Sequence, residues 1–186
     1  MNNEMKKVAI FGANGSIGRA LCRHYQKQSH VYAFSRNDFD IDETSLDKIL
    51  LSDYEEETLS KIASTFENDS FNTIIISIGM LHSHDFLPEK RIEDFSSEQF
   101  LETIRVNTLI PTLIAKSFHK KLKNTERSTH AFLSARVGSI SDNRTGGWYS
   151  YRASKAGLNM VVKNLSIELG RLNRRLIVIG LHPGTV

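Results

Sequence analysis

The chain has 186 residues, 40% hydrophobic and 24% charged, which suits one domain (1–186) with a sizeable core. A net charge of +3, with scattered lysines and arginines, argues against nucleic-acid binding. The single cysteine, Cys22, excludes an internal disulfide and fits a reducing compartment. No run approaches the roughly 18–20 apolar residues of a membrane helix, and no signal peptide is evident. We therefore expect a cytoplasmic protein without membrane or nucleic-acid partners.

The first predicted element is a buried strand at 6–11, which leads through the turn GANGSIG into a helical pattern. Strand, glycine turn and helix form the context that a phosphate-binding turn requires. The glycines permit a tight turn, close approach of a pyrophosphate and packing of helix on strand. The start of the helix offers free N–H groups and a positive dipole end to phosphate. The residues expected to contact the cofactor here are Gly12, Asn14, Gly15, Ser16, Ile17 and Gly18.

A second strand is predicted at 30–36, and it ends in Ser35 and Arg36. Dinucleotide sites for an unphosphorylated ribose usually carry an acid at this point. Here no carboxylate is present to repel a 2′-phosphate, and Arg36 is placed to pair with one. The sequence therefore predicts NADP(H), with an exposed turn arginine as the alternative.

The acidic stretch 37–42 is predicted to contain a short third strand, in which Asp40 and Ile41 border the adenine ring. The charged segment 43–68 has apolar residues at helical spacing, so we expect helices that cover the sheet there.

A further buried strand, 71–79, ends at Gly79, where the backbone is expected to lie under a ribose. The segment 96–122 predicts a long helix with a kink or break at Pro111. Asn107 lies on this apolar helix and needs hydrogen-bond partners if it is buried. It is either a satisfied core polar group or a member of a proton relay.

The strand 129–135 is followed by a polar loop and then by a helix that carries Tyr151 and Lys155. Residues at i and i+4 share one face of a helix. An ammonium stabilises a phenolate, so Lys155 would lower the pKa of Tyr151 and make it a general acid/base. The alternative is an ordinary surface pair. The last predicted strand, within 174–186, runs into Pro183 and Gly184, which are expected at the cofactor site.

Alternation of apolar runs with amphipathic helices predicts an α/β fold, a doubly wound parallel sheet with helices on both faces. Ligands bind beyond the carboxyl ends of such strands, where these features fall. We expect no metal.

The order and spacing of GANGSIG, RVNTLIP, LSARVGS, YRASK and HPGTV resemble the short-chain dehydrogenase/reductase family along the whole chain. Within it, the segment 138–159 is most similar to C-factor-type carbonyl reductases. The resemblance implies a Rossmann-like fold, a nicotinamide cofactor and a small carbonyl or alcohol substrate. It also implies that Tyr151 transfers a proton, Lys155 holds the nicotinamide ribose and Asn107 joins Lys155 to solvent. Members of the family often form homo-oligomers, so we expect a dimer or tetramer.

Three positions depart from the family pattern. The second glycine of the turn, Gly15, comes one residue early, and the segment 76–79 keeps only Gly79 of the usual Asn-Asn-Ala-Gly. The expected catalytic serine aligns with Ala135. Ser139 lies twelve residues before Tyr151 and is our first candidate for that hydroxyl, with Ser134 second.

Family members usually continue past HPGTV through a substrate lid and a final strand, so the chain is expected to be incomplete at its C-terminus. The leading hypothesis is an NADPH-dependent carbonyl reductase. The alternative is a non-catalytic NADP(H)-binding sensor of the same fold, which Ala135 favours. The glycine spacing alone prompts a weaker third hypothesis, an isomerase or epimerase.

Overall fold

A computed structural model describes residues 5–42 and 44–184. The strands are β1 (Lys6–Phe11), β2 (Ser29–Ser35), β3 (Leu46–Leu50), β4 (Thr73–Ile76), β5 (Ser128–Leu133) and β6 (Leu176–Leu181). The helices are α1 (Ser16–Tyr25), α2 (Glu56–Ser64), α3 (Ser97–Ile104), α4 (Ile110–Phe118) and α5 (Tyr149–Leu172). Within these described ranges, no helix is long and apolar enough to cross a membrane.

The six strands form one parallel sheet in the order β3-β2-β1-β4-β5-β6. The strand order reverses between β1 and β4, so the connections on the two sides of this point lead in opposite directions. Such a switch point opens a crevice at the carboxyl ends of the strands. The predicted fold class, a doubly wound Rossmann-like sheet, is confirmed.

Helices cover both faces of the sheet because successive residues of each strand point to opposite sides. Ala9 and Phe11 belong to the larger buried cluster, in which the Phe11 ring meets that of Phe118 on α4 at 4.9 Å. Val8 and Ile10 belong to the smaller cluster, which contains Cys22 of α1. Both faces of the sheet are therefore covered by packed side chains, and the carboxyl edge of the sheet remains open for a ligand site.

The third strand is not where the sequence predicted it. The stretch 37–42 forms no strand, and β3 at Leu46–Leu50 replaces the start of the predicted helices. Its backbone pairs with β2, with Leu46 opposite Val31. A segment of five residues is too short for its hydrophobic periodicity to distinguish a strand from a helix. The segment becomes a strand because it pairs with the free edge of β2.

The predicted long helix at 96–122 is divided into α3 and α4 by a π-helical turn at Arg105–Leu109. Pro111 lies in the first turn of α4, where its missing N–H is tolerated. Ser96 caps α3 by accepting a hydrogen bond from the N–H of Gln99 at 3.3 Å. The expected interruption is confirmed, although it takes the form of a π-turn rather than a simple kink.

Candidate active site

A cleft of about 860 Å³ opens at the carboxyl ends of the strands, above the switch point. It runs from the glycine turn at the start of α1 to the first turns of α5. Its walls are formed by Gly15, Ser16, Ile17, Gly18, Ser77, Gly79, Met80, Leu81, His82, Leu133, Ser134, Ala135, Arg136, Val137, Trp148, Tyr151, Lys155, His182, Pro183 and Gly184. The sequence predictions for the glycine turn and for the Tyr151 helix therefore meet in one cavity.

The glycine turn brings bare backbone to the cleft. Gly12 has φ +81°, a conformation that favours glycine, and a Cβ on Gly18 would lie 2.2 Å from the Gly12 carbonyl oxygen. Helix α1 begins at Ser16, and its N-cap residue Gly15 provides no capping side chain. The first N–H groups of α1 therefore face the cleft without a side-chain acceptor, which suits a phosphate.

Asn14 takes no part in the cleft wall. Its side-chain oxygen accepts a hydrogen bond from Arg19 on α1, and its carbonyl oxygen accepts another from Arg19 Nε at 3.0 Å. Asn14 therefore holds the glycine turn against α1 from outside the cleft.

Arg36 lies exposed just beyond β2, with its guanidinium carbon 5.8 Å from the centre of the Tyr54 ring. Among the described residues, no carboxylate forms an ion pair with Arg36, and the Ser35 hydroxyl donates to the Asn37 carbonyl at 2.7 Å. Burial raises the pKa of Tyr54 to about 12, opposed by the charge of Arg36 and by the backbone of Gly12. Arg36 thus stands near the glycine turn with its charge uncompensated.

Asp40 and Ile41 were predicted to border an adenine on the assumption of a strand at 37–42. Ile41 is instead buried in the core beneath α1, and Asp40 is exposed. The carboxyl end of the third strand leads to Asp53 and Tyr54. Neither Asp40 nor Ile41 is among the residues that line the cleft.

Tyr151 and Lys155 lie one turn apart on the wall of the cleft, as predicted. Lys155 is 3% exposed, and its ammonium donates to the Leu133 carbonyl oxygen at 2.8 Å. Its Nζ lies 5.7 Å from the centre of the Tyr151 ring. Burial lowers the pKa of Lys155 to about 8 and raises the pKa of Tyr151. The direction for Tyr151 is opposite to the one expected from a neighbouring ammonium, because burial outweighs the charge in this geometry.

Asn107 is fully buried in the π-turn and uses both ends of its amide. Its Oδ1 accepts from the Met80 N–H at 2.7 Å, and its Nδ2 donates to the Met80 carbonyl at 2.8 Å and to Ser154 Oγ at 3.0 Å. The Ser154 hydroxyl donates in turn to the Tyr151 carbonyl at 2.8 Å. Asn107 therefore ties the loop after β4 to the helix that carries Tyr151.

Of the candidate serines, Ser134 lines the cleft together with Ala135. The Ser134 hydroxyl donates to Asn159 Oδ1 at 2.6 Å. Ser139 belongs to the following loop, where its oxygen accepts from the Asp142 N–H at 3.3 Å and lies 3.4 Å from Ser141 Oγ. It is not among the residues of the cleft wall. The preference for Ser139 stays a prediction.

The cleft fits a dinucleotide in two further respects. A Cβ on Gly79 would lie 3.2 Å from Lys155 Nζ and 3.4 Å from Asn107 Oδ1, so the missing side chain keeps this floor open. Pro183 and Gly184 form the wall beyond β6. The last two residues of HPGTV, 185 and 186, lie outside the described residues.

Four polar or aromatic residues around Tyr151 were missed from the sequence. Asn159 binds Ser134, Ser154 binds Asn107, Trp148 forms part of the cleft wall, and Glu89 hydrogen-bonds to the start of α5. Asn159 follows Tyr151 and Lys155 at four-residue spacing, a pattern that could have revealed it. Glu89 comes from a distant loop, and nothing in its local sequence indicates its partner.

Comparison with known proteins explains this arrangement. The family model described as short chain dehydrogenase matches residues 6–186. The chain belongs to the short-chain dehydrogenase family. This family of oxidoreductases has the sheet, the glycine turn and the tyrosine–lysine pair that the structure brings together, and the predicted resemblance is confirmed.

Among curated short-chain dehydrogenase relatives, C-signal of Myxococcus xanthus is 32% identical over 93 residues, which are 50% of this chain and 55% of that protein. Benzil reductase ((S)-benzoin forming) of Bacillus subtilis is 25% identical over 191 residues, covering 98% of this chain and 75% of that protein. A carbonyl reductase from Pseudomonas aeruginosa PAO1 in complex with NADP superposes with a TM-score of 0.79 at 21% identity. That superposition covers 98% of this chain and 80% of the other, and it shows a shared fold. The match spans only about half the length of C-signal.

Proposed function

We propose that this short-chain dehydrogenase reduces a carbonyl substrate with NADPH and that Tyr151 is its general acid. One observation carries the proposal: Tyr151 and Lys155 share a cleft with the unobstructed start of α1. A helix N-terminus is suited to a pyrophosphate, and a paired phenol and ammonium are suited to proton transfer. The similarity to benzil reductase and to a carbonyl reductase supports a carbonyl substrate.

The nicotinamide, when bound, supplies the hydride. Gly15, Ser16, Ile17 and Gly18 would hold its pyrophosphate with backbone N–H groups, and Gly79 leaves room for the ribose beside Lys155. The guanidinium of Arg36 supports the choice of NADPH, because it has no carboxylate partner among the described residues and would be available to pair with a 2′-phosphate.

Tyr151 would donate its proton to the substrate oxygen as negative charge develops there. Its pKa is raised by burial, so the phenol holds its proton at neutral pH and is ready to donate in the reductive direction. Lys155, with a pKa lowered to about 8, would bind the ribose and supply the next proton. Asn107 stands one hydrogen bond from Ser154 and fixes the helix during this exchange.

A serine hydroxyl would be the second donor to the substrate oxygen. Ser139 is the first candidate on sequence spacing, and Ser134 has the advantage of lying in the cleft wall. Loss of one such donor typically lowers the rate by about 10²–10³-fold. Separate Ser139→Ala and Ser134→Ala variants identify the residue, since only one of them should show a loss of this size in kcat.

The test of the reaction is loss of NADPH absorbance with a panel of aldehydes, ketones and diketones. Turnover by the wild-type chain that falls by about 10²-fold or more in Tyr151→Phe supports the mechanism. Tyr149→Phe is the matched control, because Tyr149 lies in the same turn and is not part of the cleft wall. Turnover that survives unchanged in Tyr151→Phe would contradict the assignment.

The cofactor is tested by binding. Arg36→Ala should weaken NADPH about tenfold or more and leave NADH nearly unchanged, because only NADPH carries the 2′-phosphate. Arg127→Ala, an exposed arginine at the opposite end of the sheet, should affect neither. Equal weakening of both cofactors by Arg36→Ala argues against a 2′-phosphate contact.

Tight NADPH binding without turnover on any carbonyl would instead favour a sensor, the alternative that Ala135 in the cleft wall supports. We further propose that the protein is a homo-oligomer, a dimer or tetramer, which light scattering during size-exclusion chromatography would test.

A further inference from the structure

The loop between β4 and α3 carries a buried carboxylate that the proposed chemistry does not use. Glu89 is 2% exposed, although glutamate is rarely buried without a partner. Among the described residues, no lysine or arginine forms an ion pair with it. Its partners lie instead at the start of α5, across 61 positions of sequence.

The contacts of Glu89 converge on Ser150, the second residue of α5. Oε1 accepts from the Ser150 N–H at 3.2 Å, Oε2 lies 3.4 Å from the same nitrogen, and the Ser150 hydroxyl also donates to Oε1. The Glu89 carbonyl oxygen accepts from the N–H of Trp148. One residue therefore binds the backbone on either side of Tyr149.

Helix α5 has no cap of its own. Its N-cap residue, Trp148, makes no capping hydrogen bond, since an indole is only a donor. Gly146, Gly147 and Trp148 all have positive φ, the last at +52°, a conformation that is costly for a tryptophan. Without an outside acceptor, the first turn of α5 would combine a strained entry with unsatisfied N–H groups.

The Glu89 carboxylate satisfies the N–H at the start of the helix, and the Glu89 carbonyl oxygen holds Trp148 in its strained conformation. The carboxylate accepts hydrogen bonds from the helix start and places negative charge at the positive end of the dipole. Because Tyr151 directly follows Ser150, any movement of this turn moves the phenol relative to Lys155 and to the open floor at Gly79.

The loop that carries Glu89 is itself fixed at two points. Met80 is held at its beginning by Asn107, and Leu87 accepts a hydrogen bond from the Gln99 side chain at 3.0 Å. We propose that Glu89 is a positioning residue, whose carboxylate caps α5 and thereby fixes Tyr151 in its catalytic place. This inference rests on the proposed function of Tyr151.

Glu89→Ala should lower kcat by about 10²-fold and change the dissociation constant for NADPH by less than about twofold, because the phenol is misplaced while the glycine turn is intact. Glu89→Gln keeps one acceptor for the Ser150 N–H and should recover part of the loss. Glu93→Ala is the matched control, since Glu93 is exposed in the same loop. It should behave as wild type.

Hydrogen exchange gives a readout that does not depend on activity. In Glu89→Ala, amides 149–152 should exchange faster, while those in the middle of α5 should keep their rates. A chain without turnover that still shows this local change would refute the proposed reaction and leave the cap supported.

Three outcomes would overturn the role of Glu89. The first is an unchanged kcat in an active enzyme, and the second is unchanged exchange at 149–152. The third is a parallel loss of kcat, NADPH affinity and melting temperature that Glu89→Gln fails to restore, since that pattern denotes a general loss of folding.

Discussion

The two halves of the sheet form their sides of the cleft by different means: the amino-terminal half is β1–β3 with the helices of residues 5–64, and the carboxy-terminal half is β4–β6 with the helices of residues 71–184. The first presents backbone: Gly12, Gly15 and the bare start of α1. The second buries polar side chains, among them Glu89, Asn107, Ser134, Ser154 and Lys155.

A site formed by backbone groups depends on the absence of side chains around it, so it should be sensitive to any methyl group that a substitution adds there. A site made of buried polar groups depends on protonation and on complete hydrogen bonding, so it should be sensitive to charge and pH. The following variants test this contrast.

The largest effect is expected from Gly18→Ala in the amino-terminal half. The new Cβ would meet the Gly12 carbonyl oxygen at 2.2 Å, which is backbone and cannot move aside. We expect a loss of about 3 kcal/mol or more in the free energy of unfolding, with loss of NADPH binding.

Gly170→Ala is its control in the other half, because the added methyl group would meet no atom within 4 Å beyond its chain neighbours and the backbone of its own helix. It should raise stability by about 1 kcal/mol, as alanine does inside a helix. Urea denaturation measures the free energy of unfolding of both variants. Equal effects would show that the glycine turn is no more sensitive to an added methyl group than Gly170 is.

Lys155→Met should raise stability while abolishing activity. Burial lowers the pKa of Lys155 from 10.5 to about 8, so below pH 8 the folded chain carries a charge that it disfavours, by about 3 kcal/mol. Between pH 8 and 10.5 the unfolded chain binds more protons, so wild-type stability should rise with pH and the advantage of the variant should disappear. Lys163→Met, at an exposed position of the same helix, leaves Lys155 in place and should keep the wild-type rise of stability with pH. Flat wild-type stability across this interval would contradict the buried charge.

His130 offers a smaller effect at the acid end. It is fully buried on β5, neither ring nitrogen has a hydrogen-bond partner among the described residues, and burial lowers its pKa from 6.5 to about 3. The contribution of neutral His130 to the free energy of unfolding is complete above pH 6.5 and is lost as the pH falls towards 3. At pH 5 the loss should be about 2 kcal/mol. His130→Leu should abolish that part of the acid sensitivity, and exposed His84→Leu should retain it. Thermal melting from pH 7 to pH 5 measures the difference.

Ser77→Ala should have the smallest effect, because it removes one link between the halves. The Ser77 hydroxyl donates to the carbonyl oxygens of Phe11 and Gly12 at 2.8 and 3.3 Å. Phe11 keeps a second donor, the Ser77 N–H at 2.9 Å, so the loss should be about 1 kcal/mol. The exposed Ser60→Ala on α2 is the control, and a loss as large as that of Gly18→Ala would show that the halves are not independent.

The two halves also differ in what the sequence could predict. The glycine turn and the Tyr151 helix are local patterns, so their spacing was enough to identify them. β3 was wrongly predicted as helix because its conformation depends on pairing with β2. The direction of the Tyr151 pKa depends on burial and on where the Lys155 ammonium points, and the contact of Glu89 with Ser150 joins segments far apart in sequence. Neither the pKa direction nor this contact is indicated by the residues close to it in the sequence.

The π-turn at Arg105–Leu109 has a consequence for how the chain can change by insertion and deletion. Its hydrogen bonds span one residue more than those of an α-helix, so it amounts to one extra amino acid accommodated within a continuous rod. Deleting one residue there would remove this extra amino acid and convert the segment into ordinary α-helix, with α3 and α4 in nearly the same relative phase. The segment itself would change, because Asn107 lies within the π-turn and would lose the direction from which it meets Met80 and Ser154. The extra residue therefore serves the placement of Asn107, and its deletion should remove these hydrogen bonds while the two helices stay packed against the sheet.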